Sequence, residues 1–506
     1  MSRPKGMGRG GSSGPAAPAA PAAPARRLAL MQPLAAEYRL AVVNRQLAVL
    51  VTLALATVTA CSSSSVGLAI AALPRASADP GVAALAARAV NAFGFDLLRK
   101  AIPTGENGVL SPTSVALALA MARAGARSQT AAQMDAVLRE VASDPHAGWL
   151  NALEQALATR SGTFKDSAGK DTNVPLHIAN APFAQRDLVF APAYLDALAS
   201  RYGAGVRLVD YKKDPEAARV AMNSWVKDQT EQRIPELIAK GAVDNLTRLI
   251  LVNAIYLKAA WRTAFLESAT APAPFVRLDG STIDVPTMQE TADLSYAADP
   301  GWKAVELPYV GDSLAMTVIV PDDLATFEAA LDGPRFDAIT AALKPTSVRL
   351  SLPKFGLETM ADLGDVLKAL GMPDAFDRNL ADFSGITTAE PLYISAVIHQ
   401  ANLDVDEKGT EASAATAVVL GTTSMPVDQV TLQVDHPFLF ALRDTKTGAI
   451  LFLGRVTEPA VRAQAWLRAR CDSHARCSPG ARAARHRGPV PRGPGATLFL
   501  VAWPAA

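Results

Sequence analysis

Few side chains in this 506-residue chain stand in an arrangement that could do chemistry of their own. No GxSxG nucleophile elbow, HExxH helix or CxxC pair occurs, and the six histidines, at 146, 177, 399, 436, 474 and 486, lack metal-ligand spacing. The run Gly6-Met7-Gly8-Arg9-Gly10-Gly11 fits a dinucleotide-binding spacing formally, but no strand precedes it and no helix follows. The chain is therefore not expected to be an enzyme or to hold a metal or other cofactor. One stretch is instead built to be acted upon. From Val405 to Pro426 the chain reads VDEKGTEASAATAVVLGTTSMP, with Thr410, Ala412, Ala414, Thr416, Val418 and Leu420 uncharged at every second position and Glu411 and Ser413 between them. That is the period of a strand with one face fit for burial. It lies between Glu407-Lys408-Gly409 and Gly421-Thr422-Thr423-Ser424-Met425-Pro426 with no hairpin partner beside it, so it must pair with distant strands or stay exposed. An exposed extended segment is what a protease takes as substrate, its nucleophile attacking one carbonyl to give an acyl-enzyme. Small, proline-free residues in the first half could slide between two existing strands without overpacking them.

A second set of residues is polar where burial is expected. Leu249–Lys258 is a mostly apolar run long enough for a strand covered on both faces, and it contains Asn253. A buried amide without a hydrogen bond costs about 1–3 kcal/mol, so Asn253 needs a partner on a neighbouring element. His399, on a strand expected over Leu392–Val405, is the candidate. Ser111 and Ser114 open a helix over Val115–Ala124 that is apolar on nearly all sides and so belongs in the core; capping is the simplest role for both hydroxyls.

These positions need a large scaffold. Amphipathic helices are expected over Val82–Ala101 and Asn223–Ile234, strands at Gly108–Pro112, Trp302–Tyr309, Leu314–Pro321 and Val348–Phe355, a helix at Ala361–Leu370, and an apolar hairpin from Asp435–Phe440 to Ala449–Val456 around Asp444–Gly448. A net charge of +1, with Lys and Arg interspersed among Asp and Glu between Val82 and Pro459, gives no phosphate-binding surface, so no nucleic-acid partner is expected. Three cysteines, none between Ser62 and Arg470, cannot form a disulfide framework.

The termini differ from this scaffold. Residues 1–46 read as a disordered Gly/Ser and Pro-Ala extension, and 460–506 as a disordered Arg/Ala/Pro-rich tail. Residues 47–61, apolar behind Arg45 and ending in small residues, have the layout of a signal peptide. Val58-Thr59-Ala60-Cys61 resembles a bacterial lipobox, which implies acylation of Cys61 and a flexible tether over 62–81; an ordinary cleaved signal or a short membrane anchor competes. Each reading exports the protein, as a membrane-anchored lipoprotein (periplasmic or at the cell surface) or as a secreted product. A start at Met31 or later would bring the signal to its usual place.

GTEASAATAVVL resembles the proximal hinge and reactive-centre loop of the serpins, and the resemblance extends over roughly 82–459. It implies an α+β fold of three β-sheets and about nine helices with an exposed reactive-centre loop. Ser111, Ser114, Asn253 and His399 match the serpin shutter; Trp261, with Phe265, matches the motif near the point of loop entry, the breach. Lys354 matches the lysine that pairs with the glutamate at the loop base, here Glu407. Ala259 and Ala260 stand where many members carry Gly-Lys. The hinge comprises Glu407, Gly409, Thr410, Glu411, Ala412 and Ala414, and the family's usual loop length places the reactive bond at Thr423-Ser424, with Thr422, Leu420 and Met425 as competitors. The resemblance implies a monomeric inhibitor that acts as a suicide substrate, trapping a serine protease as the acyl-enzyme while the cut loop inserts into the central sheet. Thr423 points to an elastase-like enzyme with a small apolar pocket. The alternative is a non-inhibitory serpin acting as a binding or carrier protein, although such members tend to carry proline, bulky or charged residues at the inward hinge positions.

Overall fold

The computed structural model describes residues 66–143, 146–410 and 429–459, all within one unit that begins at Val66. In chain order its strands are β1 (Gly67–Ala69), β2 (Gly108–Leu110), β3 (Gly162–Lys165), β4 (Asp171–Val174), β5 (Leu176–Gln185), β6 (Val206–Val209), β7 (Leu249–Leu257), β8 (Ala259–Ala260), β9 (Ala271–Val276), β10 (Thr282–Asp299), β11 (Trp302–Pro308), β12 (Leu314–Pro321), β13 (Lys344–Pro353), β14 (Phe355–Asp362), β15 (Val397–Asp406), β16 (Gly409–Thr410), β17 (Val430–Gln433), β18 (Phe438–Asp444) and β19 (Ile450–Val456). Nine α-helices are described: α1 (Ala83–Ala101), α2 (Pro112–Arg123), α3 (Ser128–Val137), α4 (Ala147–Ala158), α5 (Pro192–Ala197), α6 (Pro215–Gln229), α7 (Leu324–Ala329), α8 (Gly333–Ala342) and α9 (Gly364–Leu370). The strands form an eight-stranded sheet, a nine-stranded sheet and the β3–β4 hairpin, so the fold is α+β with three sheets, as expected.

The eight-stranded sheet positions the site. Its order is β1-β6-β5-β7-β15-β16-β8, with β14 on the other edge of β15. β7 is buried along its whole length because both faces are covered. On one face α2, buried at every residue, packs behind the sheet with Ser111 as its N-cap. On the other, Met222 and Val226 of α6 pack with Ile250, Val252 and Ala254. β7 and β15 run parallel but pair only from Leu251–Ala254 to Val397–Gln400. Beyond Ala254 and Gln400, Ile255–Leu257 and Ala401–Asp406 continue without pairing to each other, which leaves a seam in the middle of the sheet.

Several boundaries depart from the sequence reading. The helix expected over Asn223–Ile234 runs instead from Pro215, capped by Asp214, and ends at Gln229; Glu231 and Gln232 have positive φ (47° and 69°), which stops it. β15 begins at Val397 rather than Leu392, because the Ile394 N–H is taken by Ala375 O at 2.9 Å. Ala361 and Asp362 extend β14, so α9 starts only at Gly364. The tether expected over 62–81 is packed from Val66 onward: β1 pairs antiparallel with β6, Gly67 opposite Leu208. Finally, the loop does have a local mate at its start. The chain reverses at Glu407-Lys408, and Gly409–Thr410 pairs back on Asp406–Val405.

Candidate functional site: the hinge and the polar cluster beneath the seam

The reversal at Glu407-Lys408 is fixed by Asp406, whose Oδ1 accepts from the Lys408 N–H at 2.8 Å and the Gly409 N–H at 3.3 Å. Gly409 has φ +144°, and a Cβ there would stand 2.2 Å from Ala259 O, so only glycine fits between β15 and β8. Ala259 and Ala260 form β8, which pairs antiparallel with Thr410 and Gly409. Gly409–Thr410 is thus already a two-residue central strand at the mouth of the seam.

Side chains hold it from three directions. Glu407 Oε2 accepts from Lys354 Nζ at 2.7 Å and Oε1 from the Thr270 hydroxyl at 2.8 Å. Burial pushes the Glu407 carboxyl up, but these hydrogen bonds outweigh it and hold the group below the usual carboxylate range. The Trp261 indole N–H donates to Asp406 O at 2.9 Å, and the Phe265 N–H donates to Glu407 O at 2.9 Å. The Trp261 ring stacks on Tyr309, centroids 4.5 Å apart, and the Tyr309 hydroxyl lies 2.6 Å from Thr410 Oγ1. Thr410 and Tyr309 are fully buried.

The polar cluster lies where β7 and β15 still pair. Asn253 and His399 are register partners. The Ser111 N–H donates to His399 Nε2 at 3.1 Å, which leaves the proton on Nδ1 to be donated to Asn253 Oδ1 at 2.6 Å. Asn253 Nδ2 donates to Ser114 Oγ at 2.6 Å, and the Ser114 N–H donates to Ser111 Oγ at 3.2 Å. The Asn180 amide on β5 closes the set, 2.6 Å from Asn253 Nδ2 and 3.2 Å from Ser114 Oγ. Burial drives the His399 pKa down to about 4, so the imidazole is neutral at physiological pH. The cluster therefore ties α2, β5, β7 and β15 together through neutral hydrogen bonds under the closed end of the seam.

Four of the site residues, Ser111, Ser114, Asn253 and His399, come together in one cluster, and Trp261, Lys354, Glu407, Gly409 and Thr410 in another. Glu411, Ala412, Ala414, Thr423, Ser424 and Cys61 lie outside the described residues, as do the competing positions Leu420, Thr422 and Met425. Sequence reasoning missed Asn180, Thr270, Tyr309 and Asp406. Only Asn180 had a signal, an amide inside the largely apolar run Leu176–Gln185 much like Asn253. Among the described residues no group of three or more His, Cys, Asp or Glu side chains could hold a metal ion.

A central sheet open at one end, with the root of a long loop seated in the opening, is the serpin architecture. The serpin family model, described as serine protease inhibitor, matches residues 88–459. Human leukocyte elastase inhibitor is 35% identical over 381 residues, spanning 72% of this chain and 97% of its own. Ipis-1 of Ixodes persulcatus is 36% identical over 377 residues, with 72% and 97% covered. Among solved structures, the native state of the thermophilic serpin tengpin superposes with a TM-score of 0.66 at 27% identity, over 76% of this chain and 96% of tengpin. The chain belongs to the serpin family, described as serine protease inhibitors, and is not an enzyme.

Proposed function

We propose that this protein is an inhibitory serpin, trapping a serine protease as the acyl-enzyme by inserting its cleaved loop between β7 and β15. The observation that carries this reading is a closure of registers. β16 fixes Thr410 opposite Val405 on one side and Ala259 on the other. Extending the strand antiparallel to both neighbours sets residue 412 opposite Leu403 and Leu257, 414 opposite Ala401 and Ile255, and 416 opposite His399 and Asn253. His399 and Asn253 are already partners in the parallel pairing. The loop can therefore enter by parting the two strands sideways, with no slip of either along its length.

Parity agrees with the register. Positions 397, 399, 401, 403 and 405 of β15 face the core, so the loop residues opposite them are Thr410, Ala412, Ala414, Thr416 and Val418, all small or apolar, while Glu411 faces away. Thr416 would arrive over the Asn253–His399 pair and take up bonds freed as the strands part. About ten added strand residues at ~1 kcal/mol per net hydrogen bond give roughly 10 kcal/mol, enough to distort the active site of a marginally stable protease before deacylation. In this reading Ser111, Ser114, Asn253 and His399 act as the shutter, Trp261 and Lys354 as the breach, and Glu407 to Ala414 as the hinge.

Thr423 as the residue before the cut bond fits an elastase-like target with a shallow apolar pocket, and similarity to proteins named leukocyte elastase inhibitor supports that choice. No Lys or Arg occurs from Gly409 to Leu432, which disfavours trypsin-like enzymes. The lipobox-like Val58–Cys61 supports export as a bacterial lipoprotein anchored through Cys61. Incubation with elastase-like and trypsin-like proteases, followed by denaturing electrophoresis and mass spectrometry, tests the trap and the bond together. A covalent complex ending at Thr423 is expected. Clean cleavage with no complex, across several serine proteases, would make the protein a non-inhibitory binding serpin.

A further inference from the structure

Before the first helix the chain forms a strap across the outer edge of the eight-stranded sheet, ahead of the family match that begins at residue 88. β1 pairs with β6, and Arg75 then reaches Asn151 Oδ1 at 2.8 Å and Glu154 at 2.7 Å on α4. Ala76 is held on both sides: its N–H donates to Ser200 O at 2.8 Å, and its carbonyl accepts from Asn151 at 3.0 Å and Gln155 at 2.9 Å. Gly205 lets the strap approach, since a Cβ there would stand 2.6 Å from Ala69 O and 2.8 Å from Ile70 Cβ. The strap has a built seat.

Its outer face is apolar. Leu68, Ile70 and Leu73 are 55%, 49% and 49% exposed, and these three of the twelve large apolar side chains exposed among the described residues fall within six positions. Water-facing apolar side chains at such density mark an interaction surface.

Register places that surface. β6 pairs with the end of β5 through Phe183–Arg207 and Gln185–Val209, and Ala184 pairs with Leu249, where β7 begins. Thr410 pairs with Ala259. Ten residues of strand, at about 3.3 Å each, separate the two levels by roughly 33 Å. β1 therefore starts at the pole opposite the loop root, with Gly67 level with Leu249, and runs along the sheet edge toward that root, Ala69 lying level with Leu251. Upstream, only Ser62–Ser65 separate Cys61 from Val66. Seven residues from Cys61 to Leu68 reach about 25 Å at most, so an acyl chain on Cys61 would hold Leu68 within that distance of a bilayer.

We propose that Leu68, Ile70 and Leu73 are a lipid-contacting surface that seats the domain on the bilayer by the outer edge of its central sheet. The occupant is membrane lipid, because the same short segment that carries the lipidation motif delivers the apolar strap to the interface. The inference rests on the lipoprotein reading above.

The test uses the full chain, processed in a bacterial host and reconstituted into phosphatidylethanolamine/phosphatidylglycerol vesicles carrying brominated lipid. Cys471→Ser and Cys477→Ser remove the other thiols, and an environment-sensitive fluorophore is placed on Ile70→Cys or, as the loop-pole control, on Leu266→Cys. Mass spectrometry should find an acylated Cys61 peptide, and the label at 70 should shift blue and be quenched several-fold more than the label at 266. Leu68→Asp with Leu73→Asp should abolish that difference and leave formation of the SDS-stable protease complex unchanged. Equal quenching at both positions, an unmodified Cys61, or a strap shielded in a dimer of two copies would overturn the proposal. Failure of the inhibitory reading shows separately, as loss of the covalent complex with the label at 70 still quenched.

Discussion

Replacing Thr410 by arginine should convert the inhibitor into a substrate. Thr410 is fully buried, its hydroxyl 2.6 Å from that of Tyr309, and Tyr309 is itself buried and stacked on Trp261. A guanidinium at this position must either lose its hydration, which costs several kcal/mol per ion, or leave the sheet with the hinge. Leaving removes the two-residue strand whose pairing with Val405–Asp406 and Ala259–Ala260 sets the register for everything that follows. Insertion and deacylation compete from the same acyl-enzyme. If the substitution adds about 3 kcal/mol to the insertion barrier, insertion slows roughly 150-fold, since each ~1.4 kcal/mol is tenfold in rate. The attack on the Thr423 carbonyl, far from the hinge, should proceed as before. The assay titrates an elastase-like protease with wild type, Thr410→Arg and Thr410→Ser and quantifies complex against cleaved inhibitor on denaturing gels. Thr410→Arg is expected to yield almost only cleaved product and Thr410→Ser mostly complex. Wild-type stoichiometry in Thr410→Arg would refute the claim that insertion starts from the seated hinge.

Three further outcomes follow from the same geometry. His399 has its pKa lowered by burial from 6.5 to about 4, so the unfolded chain takes up its proton first as pH falls; stability is complete above pH 6.5, declines between about 6.5 and 4, and is then flat. The loss is about 3 kcal/mol at ~1.4 kcal/mol per unit, and denaturant titrations at pH 7 and 4.5 should show a drop that His399→Gln flattens. Glu290 on β10 faces Leu350, and burial pushes its carboxyl from 4.5 up to about 7. Its folded pKa is the higher one, so the charge opposes folding increasingly from pH 4.5 to 7; Glu290→Gln should stabilise the fold at pH 8 by about 2 kcal/mol allowing for its partial exposure, read as a higher melting temperature, and leave the melting temperature unchanged at pH 4. Thr423→Arg should shift complex formation from elastase-like to trypsin-like proteases, read as relative second-order inhibition rates with each enzyme; unchanged preference would move the reactive bond to Leu420, Thr422 or Met425.

What the sequence disclosed, and what it hid, divides along physical lines. Asn253 stood out because an amide inside an apolar strand needs a partner, and the partner, His399, is where a second apolar run places it. The alternation from Thr410 onward raised the expectation of an insertable strand, because strand parity is a local property, and of that run only Thr410 lies among the described residues. Tyr309 was hidden, since it follows Pro308 at the end of β11, where no local pattern marks it, and its bond to Thr410 spans a hundred residues. The two-residue pairing of β16 was also hidden: Glu407-Lys408-Gly409 read as a simple breaker, and only the Asp406 carboxylate and the close approach of Ala259 O make it a turn back into the sheet. The strap at Gly67–Ala69 was too short for periodicity to mark. Helix ends moved for the same reason, as with Asp214-Pro215, a cap and first-turn proline eight residues ahead of the expected start at Asn223.

The most direct measurement is the melting temperature of the intact protein against that of the same protein cut within 421–425, each chain verified by mass. If the freed strand fills the seam beside Ile255–Leu257 and Ala401–Leu403, about 10 kcal/mol of added stability, at roughly 0.8 kcal/mol/K for a unit of this size, raises the transition by about 12 °C or more. A cut protein that melts where the intact one does would contradict insertion, and with it the inhibitory mechanism.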